Sequence, residues 1–322
     1  MIGYVFDVDA IDKQILIELE GNCRLTFQTI ADKIGLSRSA VKRRVDKLEN
    51  SGVIEKFIVE FYQNACGLEW LAIDVATDAT EDVNAFIERL NSFPVVFVTA
   101  WLASGKYLIY GQVDNQYRSY EIGKKIRNMK FVKDVTLHPM IPVTNRILST
   151  RSMFQGIGSR IELNNGQLRV LKALLPDARK SISQIVEETN MSSKRVKTIL
   201  DSLLEHKGIH FTILFNLSAH GNINFVLKLL FNEKKSEPKD VVRWIQKYHS
   251  HEYWNSFLFV HEPILMNFFT CSHLKDVSSI TRSMEQAPFT ISAEPLVIFP
   301  SRMNKGLRRL RLEEILADIK LK

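Results

Sequence analysis

Leu36-Ser37-Arg38-Ser39-Ala40-Val41-Lys42-Arg43-Arg44-Val45-Asp46-Lys47-Leu48 is answered 155 residues later by Met191-Ser192-Ser193-Lys194-Arg195-Val196-Lys197-Thr198-Ile199-Leu200-Asp201-Ser202-Leu203. The same register runs without a gap through Ile15/Val170, Leu16/Leu171, Leu19/Leu174, Thr26/Ser181 and Ile30/Ile185. A register held over that length marks a tandem duplication, so one account of a copy has to serve both. In the quoted stretch Val41, Val45 and Leu48 recur at helical spacing, as do Val196, Leu200 and Leu203, and each stripe predicts a helix with one buried face. Ser37 and Ser192 stand where a helix needs a side-chain acceptor for its first free N–H groups.

Upstream, Asp9 precedes a first helix carrying Ile11, Ile15, Leu16 and Leu19, and Thr26 to Ile34 makes a second with Ile30 and Ile34 inward. Gly35 follows, and Asn190 in the second copy; these are the two residue types that best tolerate positive φ, so a tight turn is expected at both places. Gly52 and Gly208 end the third helices. Three short helices with such a turn before the third form a helix-turn-helix, and the apolar runs Val53 to Phe61 and Ile209 to Leu217 predict a strand or wing after it.

Beyond each helix-turn-helix the pattern changes. Strand-like Leu68 to Thr77, helical Asp82 to Asn91, strands Val95 to Ser104 and Tyr107 to Val113, helical Tyr117 to Met129 and strand Val132 to Met140 give βαββαβ. The second copy repeats the order from Asn224 to Phe299. The fold class is therefore α+β: two copies of a winged helix-turn-helix, each followed by a ferredoxin-like βαββαβ module. The expected divisions are 1–61 and 164–217 for the helix-turn-helix units, 66–141 and 222–300 for the ferredoxin-like modules, a linker at 142–163 and an amphipathic C-terminal helix within 301–322. About twenty linker residues reach up to roughly 66 Å when extended, so the second helix-turn-helix has a choice of positions. Leu71, Ile73 and Val75 alternate with Leu68, Trp70 and Ala72, all apolar, and Phe225, Leu227, Leu229 and Phe231 alternate with Val226 and Leu230. A sheet apolar on both faces needs a cover, expected from the other repeat or a second chain.

The chain has 322 residues, with 43 Lys and Arg against 36 Asp and Glu, a formal charge of +7 that favours polyanions only modestly. Placement matters more. The third helix of the first copy carries Arg38, Lys42, Arg43, Arg44 and Lys47 against Asp46, and with its apolar stripe inward, Ser39, Lys42, Arg43 and Lys47 face outward. Long cations on such a face neutralise phosphates, and Arg can bridge the acceptors of a guanine edge. Ser37, Arg38, Ser39, Lys42, Arg43 and Lys47 are thus the candidate contacts to double-stranded DNA in the first copy. Ser192, Lys194, Arg195 and Lys197 are those of the second, which is poorer in cations and is expected to be auxiliary. Cys23, Cys66 and Cys271 are far apart, without metal or redox spacing, which fits reduced thiols in a cytoplasmic protein. No stretch approaches the roughly 18 apolar residues of a membrane span. No phosphate-binding glycine loop or nucleophile-and-base motif is present, so no catalytic residue, metal or cofactor is assigned.

Val8-Asp9-Ala10-Ile11-Asp12-Lys13-Gln14-Ile15-Leu16, the run Ile30 to Glu49 and Gly52-Val53-Ile54 resemble the N-terminal half of the leucine-responsive (Lrp/AsnC) transcription regulators. The resemblance extends over Asp9 to Pro139 and, more faintly, over Asn164 to Pro300. It implies a DNA-binding regulator whose ferredoxin-like (RAM-type) modules pair sheet to sheet, self-associate, and answer to a small-molecule effector, commonly an amino acid. A fused double unit would be a pseudo-dimer in one chain, able to form homodimers. The family's second and third strands are joined by a glycine turn with an acidic residue shortly after it that helps hold the effector. Here Ser104-Gly105-Lys106-Tyr107-Leu108 keeps the glycine and has Leu108 in the acidic place, and Val260-His261-Glu262-Pro263-Ile264 has no glycine. An amino-acid amine would lack its carboxylate there. The alternative is an enzyme of the siroheme decarboxylase kind, which resembles the same architecture. Its His-Asn-Tyr-like cluster is missing from Val96-Phe97-Val98-Thr99-Ala100-Trp101 and Tyr253-Trp254-Asn255-Ser256-Phe257.

Overall fold

Six side-chain caps start the helices of the two helix-turn-helix units. In the computed structural model, which describes residues 8–93, 96–103, 105–143, 161–216, 222–298 and 306–321, the first copy has α1 (Ala10–Gly21), α2 (Phe27–Ile34) and α3 (Arg38–Asn50). Asp9 Oδ1 accepts from the Asp12 N–H at 2.7 Å, Thr26 Oγ1 from Thr29 at 3.0 Å and Ser37 Oγ from Ala40 at 3.2 Å. A cap of this kind is worth about 1 kcal/mol. Between α2 and α3 Gly35 sits at φ 73°. Ile15, Leu16, Leu19, Ile30, Val41, Val45 and Leu48 form the buried core.

Continuing along the chain, β1 (Ile54–Phe61) leads to the first ferredoxin-like module: β2 (Glu69–Thr77), α4 (Val83–Asn91), β3 (Val96–Ala103), β4 (Lys106–Val113), α5 (Gln116–Arg127) and β5 (Val132–Val143). Most of the expected linker, residues 144–160, lies outside the described residues. The second copy has α6 (Asn165–Leu174), α7 (Ile182–Thr189), α8 (Ser193–Glu205) and β6 (Ile209–Phe215). Asn164, Ser181 and Ser192 cap its three helices, and Asn190 takes the turn at φ 55°. Its sheet module comprises β7 (Ile223–Phe231), α9 (Pro238–Tyr248), β8 (Tyr253–Phe259), β9 (Ile264–Cys271), α10 (Leu274–Glu285) and β10 (Thr290–Ile298), and α11 (Leu307–Leu316) follows.

The strand expected after each helix-turn-helix is present, and its partner is the equivalent strand of the other repeat. β1 and β6 pair antiparallel, with Phe57 opposite Ile213 and Val59 opposite Phe211. Two further bonds are reciprocal: the Cys23 N–H donates to Phe211 O at 2.9 Å and the Ala178 N–H to Phe57 O at 3.0 Å. The two helix-turn-helix units therefore lie together in one compact unit, about a local two-fold relation. The C-terminal helix belongs to that unit. Leu312 and Leu316 of α11 are fully buried, Arg309 donates to Val59 O of one repeat and Leu175 O of the other, and Arg311 donates to Cys66 O at 2.7 Å. Arg308 reaches the buried Glu60 at 2.9 Å, beside His210. The arginines of this tail thus hold protein carbonyls and a protein carboxylate.

The second compact unit holds both ferredoxin-like modules in one eight-stranded sheet, ordered β10-β7-β9-β8-β5-β2-β4-β3. The modules join edge to edge through β5 and β8, from Met140 opposite Phe259 to Val143 opposite Ser256. Leu71, Ile73 and Val75 face α4 and α5 with Phe86, Leu90, Ile122 and Ile126. Phe225, Leu227, Leu229 and Phe231 face α9 and α10 with Val241, Ile245, Ile280 and Met284. The opposite faces are also buried, since the sheet curls until β3 and β10 come into contact. Trp70 packs on Phe257 with centroids 5.1 Å apart, and Tyr110 on Phe268 at 4.9 Å. Within this chain the cover for each sheet is the other repeat's sheet. Cys23 and Cys271 are buried free thiols and Cys66 is a half-buried one; burial pushes the first two up to about 12 and about 11.

Glu60 gives this architecture an acid-sensitive point. Burial acts to raise its carboxyl, but Arg308 foremost, with His210 and Arg309, holds it below the ordinary 4.5. A carboxylate so depressed contributes stability that is complete above about pH 4.5 and is lost as pH falls through the lowered value. Urea midpoints measured across that acid window should decline in the wild type, and Glu60→Gln should flatten the decline while lowering stability at neutral pH.

Candidate nucleic-acid interface

Ser37 at the start of α3 turns the chain so that Val41, Val45 and Leu48 point into the core and the opposite face stays in solvent. Ser37, Arg38, Ser39, Lys42, Arg43 and Lys47 are all exposed. Lys42 Nζ lies 3.1 Å from Asp46 Oδ2 across one helical turn, with both side chains largely in water. An exposed pair of this kind is worth only about 0.3–0.5 kcal/mol, so a phosphate can take the lysine over. Arg44 is different. Its Nη1 is 2.7 Å from both Asp9 Oδ2 and Asp12 Oδ1, which fastens α3 to the start of α1. Of the five cations in the run, Arg44 is therefore structural.

On α8 the structure places Ser192, Lys194, Arg195 and Lys197 in solvent as well. Thr198, Asp201, Ser202 and Glu205 share the exposed surface; its two carboxylates match Asp46 and Glu49 of α3 in number, but α8 sets only three cations against them where α3 has five. Arg195 borders an open cleft of about 510 Å³ with Asn164, Asn165, Gly166, Thr198 and Ile199. The two third helices have the same frame and different charge.

A further pair of arginines escapes a reading centred on the third helices. Arg24 and Arg179 occupy equivalent positions, 155 residues apart, in the loops between first and second helices. Arg24 donates to Ala178 O and, at 3.1 Å, to Lys180 O. Arg179 donates to Leu25 O at 3.4 Å and lies 4.6 Å from the Phe27 ring centroid and 5.0 Å from that of Phe57. The repeat register marks the two arginines as equivalent, but only the structure shows that their loops meet.

In the ferredoxin-like module, Gly105 takes φ 71° at the turn before β4, where an added Cβ would come within 3.3 Å of Thr77 O. Leu108 is fully buried, so the place of the family's acidic side chain is apolar. His249 is within 2.9 Å of Ser283 Oγ, and burial lowers its ring below the usual histidine range. Among the described residues, no three His, Cys, Asp or Glu side chains are grouped to hold a metal ion. Among them also, no helix is long and apolar enough to cross a membrane.

Residues 8–55 match the family described as winged helix-turn-helix DNA-binding. The leucine-responsive regulatory protein of Rhizobium meliloti is 34% identical over 103 residues, 31% of this chain and 65% of that protein. The HTH-type transcriptional regulator LrpA of Pyrococcus horikoshii is 32% identical over 102 residues, 32% of this chain and 72% of that protein. The matched segment thus spans just under two thirds of the first relative and more of the second. Among solved structures, the siroheme decarboxylase NirDL superposes with a TM-score of 0.57 at 11% identity, covering 95% of this chain and 98% of that one. At that identity the likeness concerns the fold alone.

The turn that aims α3 depends on a backbone conformation that costs an ordinary L-residue roughly 1–2 kcal/mol. Gly35→Val should lower chemical-denaturation stability by about that much, whereas Asn190→Gly, which suits the same conformation, should leave it unchanged or slightly raised.

Proposed function

The chain belongs to the Lrp/AsnC family of helix-turn-helix transcriptional regulators, and we propose that it binds double-stranded DNA sequence-specifically, with α3 as the dominant reading helix and α8 as an auxiliary. The observation that carries this reading is the exposed row Arg38, Lys42, Arg43 and Lys47 on a helix whose other face is core. In the proposed complex Lys42, Arg43 and Lys47 neutralise phosphates or reach base edges in the major groove. Ser37 and Ser39 supply hydroxyls at the helix start, the end from which helix-turn-helix readers contact bases. On α8, Ser192, Lys194, Arg195 and Lys197 make the lesser contribution, since that helix sets three cations against two carboxylates where α3 sets five. The two units act as a pseudo-dimer from one chain, and further self-association gives a homodimer in the cytoplasm. Any small-molecule effector is of another class than the amino acids, because Leu108 offers an amine no carboxylate.

Each phosphate contact contributes roughly 0.9 to the slope of log affinity against log salt concentration. Lys42→Ala with Arg43→Ala should flatten that slope by up to about 1.8 and weaken binding in an electrophoretic mobility assay. Lys194→Ala with Lys197→Ala should cost clearly less. Equal losses would remove the asymmetry, and a wild-type affinity independent of salt would remove the DNA-binding reading.

The whole-chain likeness to a siroheme decarboxylase favours one second reading, a tetrapyrrole-decarboxylating enzyme on the same architecture. Incubation with siroheme followed by absorption spectroscopy distinguishes them: the regulator leaves the pigment spectrum unchanged, and a decarboxylase converts it.

A further inference from the structure

Arg24, Arg38 and Arg179 border one open cleft of about 280 Å³, together with Leu25, Thr26 and Phe27. Two of the three come from the first repeat's loop and reading helix; Arg179 comes from the second repeat. We propose that this cleft is a phosphate subsite that receives a backbone phosphate of the bound duplex and, through Arg179, brings the second repeat into the interface made by the first. The proposal rests on the DNA-binding reading above and extends it to a contact outside both third helices.

Charge is the first argument. Among the described residues none of the three arginines is ion-paired to a carboxylate; Arg24 and Arg179 meet neutral carbonyl oxygens and aromatic rings instead. Two carboxylates lie within electrostatic reach, Asp177 of Arg24 and Glu49 of Arg179, and Asp177 Oδ1 accepts from the Arg179 backbone N–H at 2.7 Å. Burial is the main cause that lowers the Arg24 guanidinium from its ordinary value, with Arg179 a smaller contributor in the same direction. The positive end of α2, which starts at Phe27, borders the same cleft and favours an anion there.

Geometry is the second. Arg24 is held by the carbonyls of Ala178 and Lys180, and Arg179 lies over Phe27 and Phe57, so two of the three forks are ordered before any ligand arrives. Guanidinium groups fixed in this way bind phosphate with little further loss of freedom. Arg38, the first residue of α3, ties the cleft to the reading face itself. The local two-fold is broken here, because the equivalent of Arg38 is Ser193. The third cation exists only on the side of the dominant helix.

The test uses the full chain and a fluorescent duplex, with anisotropy measured across a salt series and thermal midpoints recorded for every variant. Arg179→Ala and Arg38→Ala should each flatten the log-log slope by about 0.9, while Arg179→Lys keeps it. An unchanged slope in Arg179→Ala with a wild-type midpoint overturns the subsite. If that variant unfolds early, Arg179→Gln, which keeps a polar side chain over the Phe27 and Phe57 rings, decides by the same criterion. Slopes that respond to Lys42 and Arg43 but not to Arg179 or Arg38 overturn the subsite alone; wild-type binding without salt dependence overturns the regulator reading with it. Saturable binding of inorganic phosphate that Arg179→Ala abolishes, with no change of slope on DNA, would assign the cleft to a free anion and overturn the duplex assignment.

Discussion

The antiparallel ladder between β1 and β6 is the constraint on which the unit holding both helix-turn-helix copies depends. A strand following a helix-turn-helix has unpaired backbone groups on both edges, and here each copy satisfies one edge with the other. That pairing places the Cys23–Leu25 and Ala178–Lys180 loops against each other, where they exchange reciprocal backbone bonds to the ribbon. The arginines then cross the seam. α11 adds a second tie, with one guanidinium bonded to carbonyls of both repeats. Two short three-helix units, each too small for a large core, are stabilised by sharing one structure.

Duplication supplies symmetry, and the side chains depart from it where function would use the difference. The helical frame is the same in both copies, down to the caps and the left-handed turn. The charge is not: each helix carries two carboxylates, but α3 has five cations and α8 three, and Arg38 is replaced by Ser193. The sheet unit shows the same economy. One continuous curled sheet lets each module bury the apolar face the other leaves open, through contacts such as Trp70 with Phe257.

Much of the candidate interface was legible along the chain because its determinants are local. A serine before a helix, a glycine or asparagine in a turn and a stripe of three apolar residues act over four to eight positions, and the exposed face follows from them. Arg44 shows where that stops. It stands among Lys42, Arg43 and Lys47 and differs from them only in what α1 presents to it, Asp9 and Asp12. Its removal from the free surface is a fact about helix packing. The Arg24 and Arg179 pair is similar, since neither loop contains its own acceptors.

By itself the sequence determined the duplication, the element order, the caps and turns of both reading helices and the two-sided apolar strands, because each depends on side-chain periodicity or on φ preferences that neighbours in the chain settle. Only the tertiary structure decided that β1 would pair with β6, that the two sheets would join through β5 and β8, and that arginines from both repeats would gather in one cleft. Those outcomes depend on groups more than a hundred residues apart finding hydrogen-bond partners and burial together.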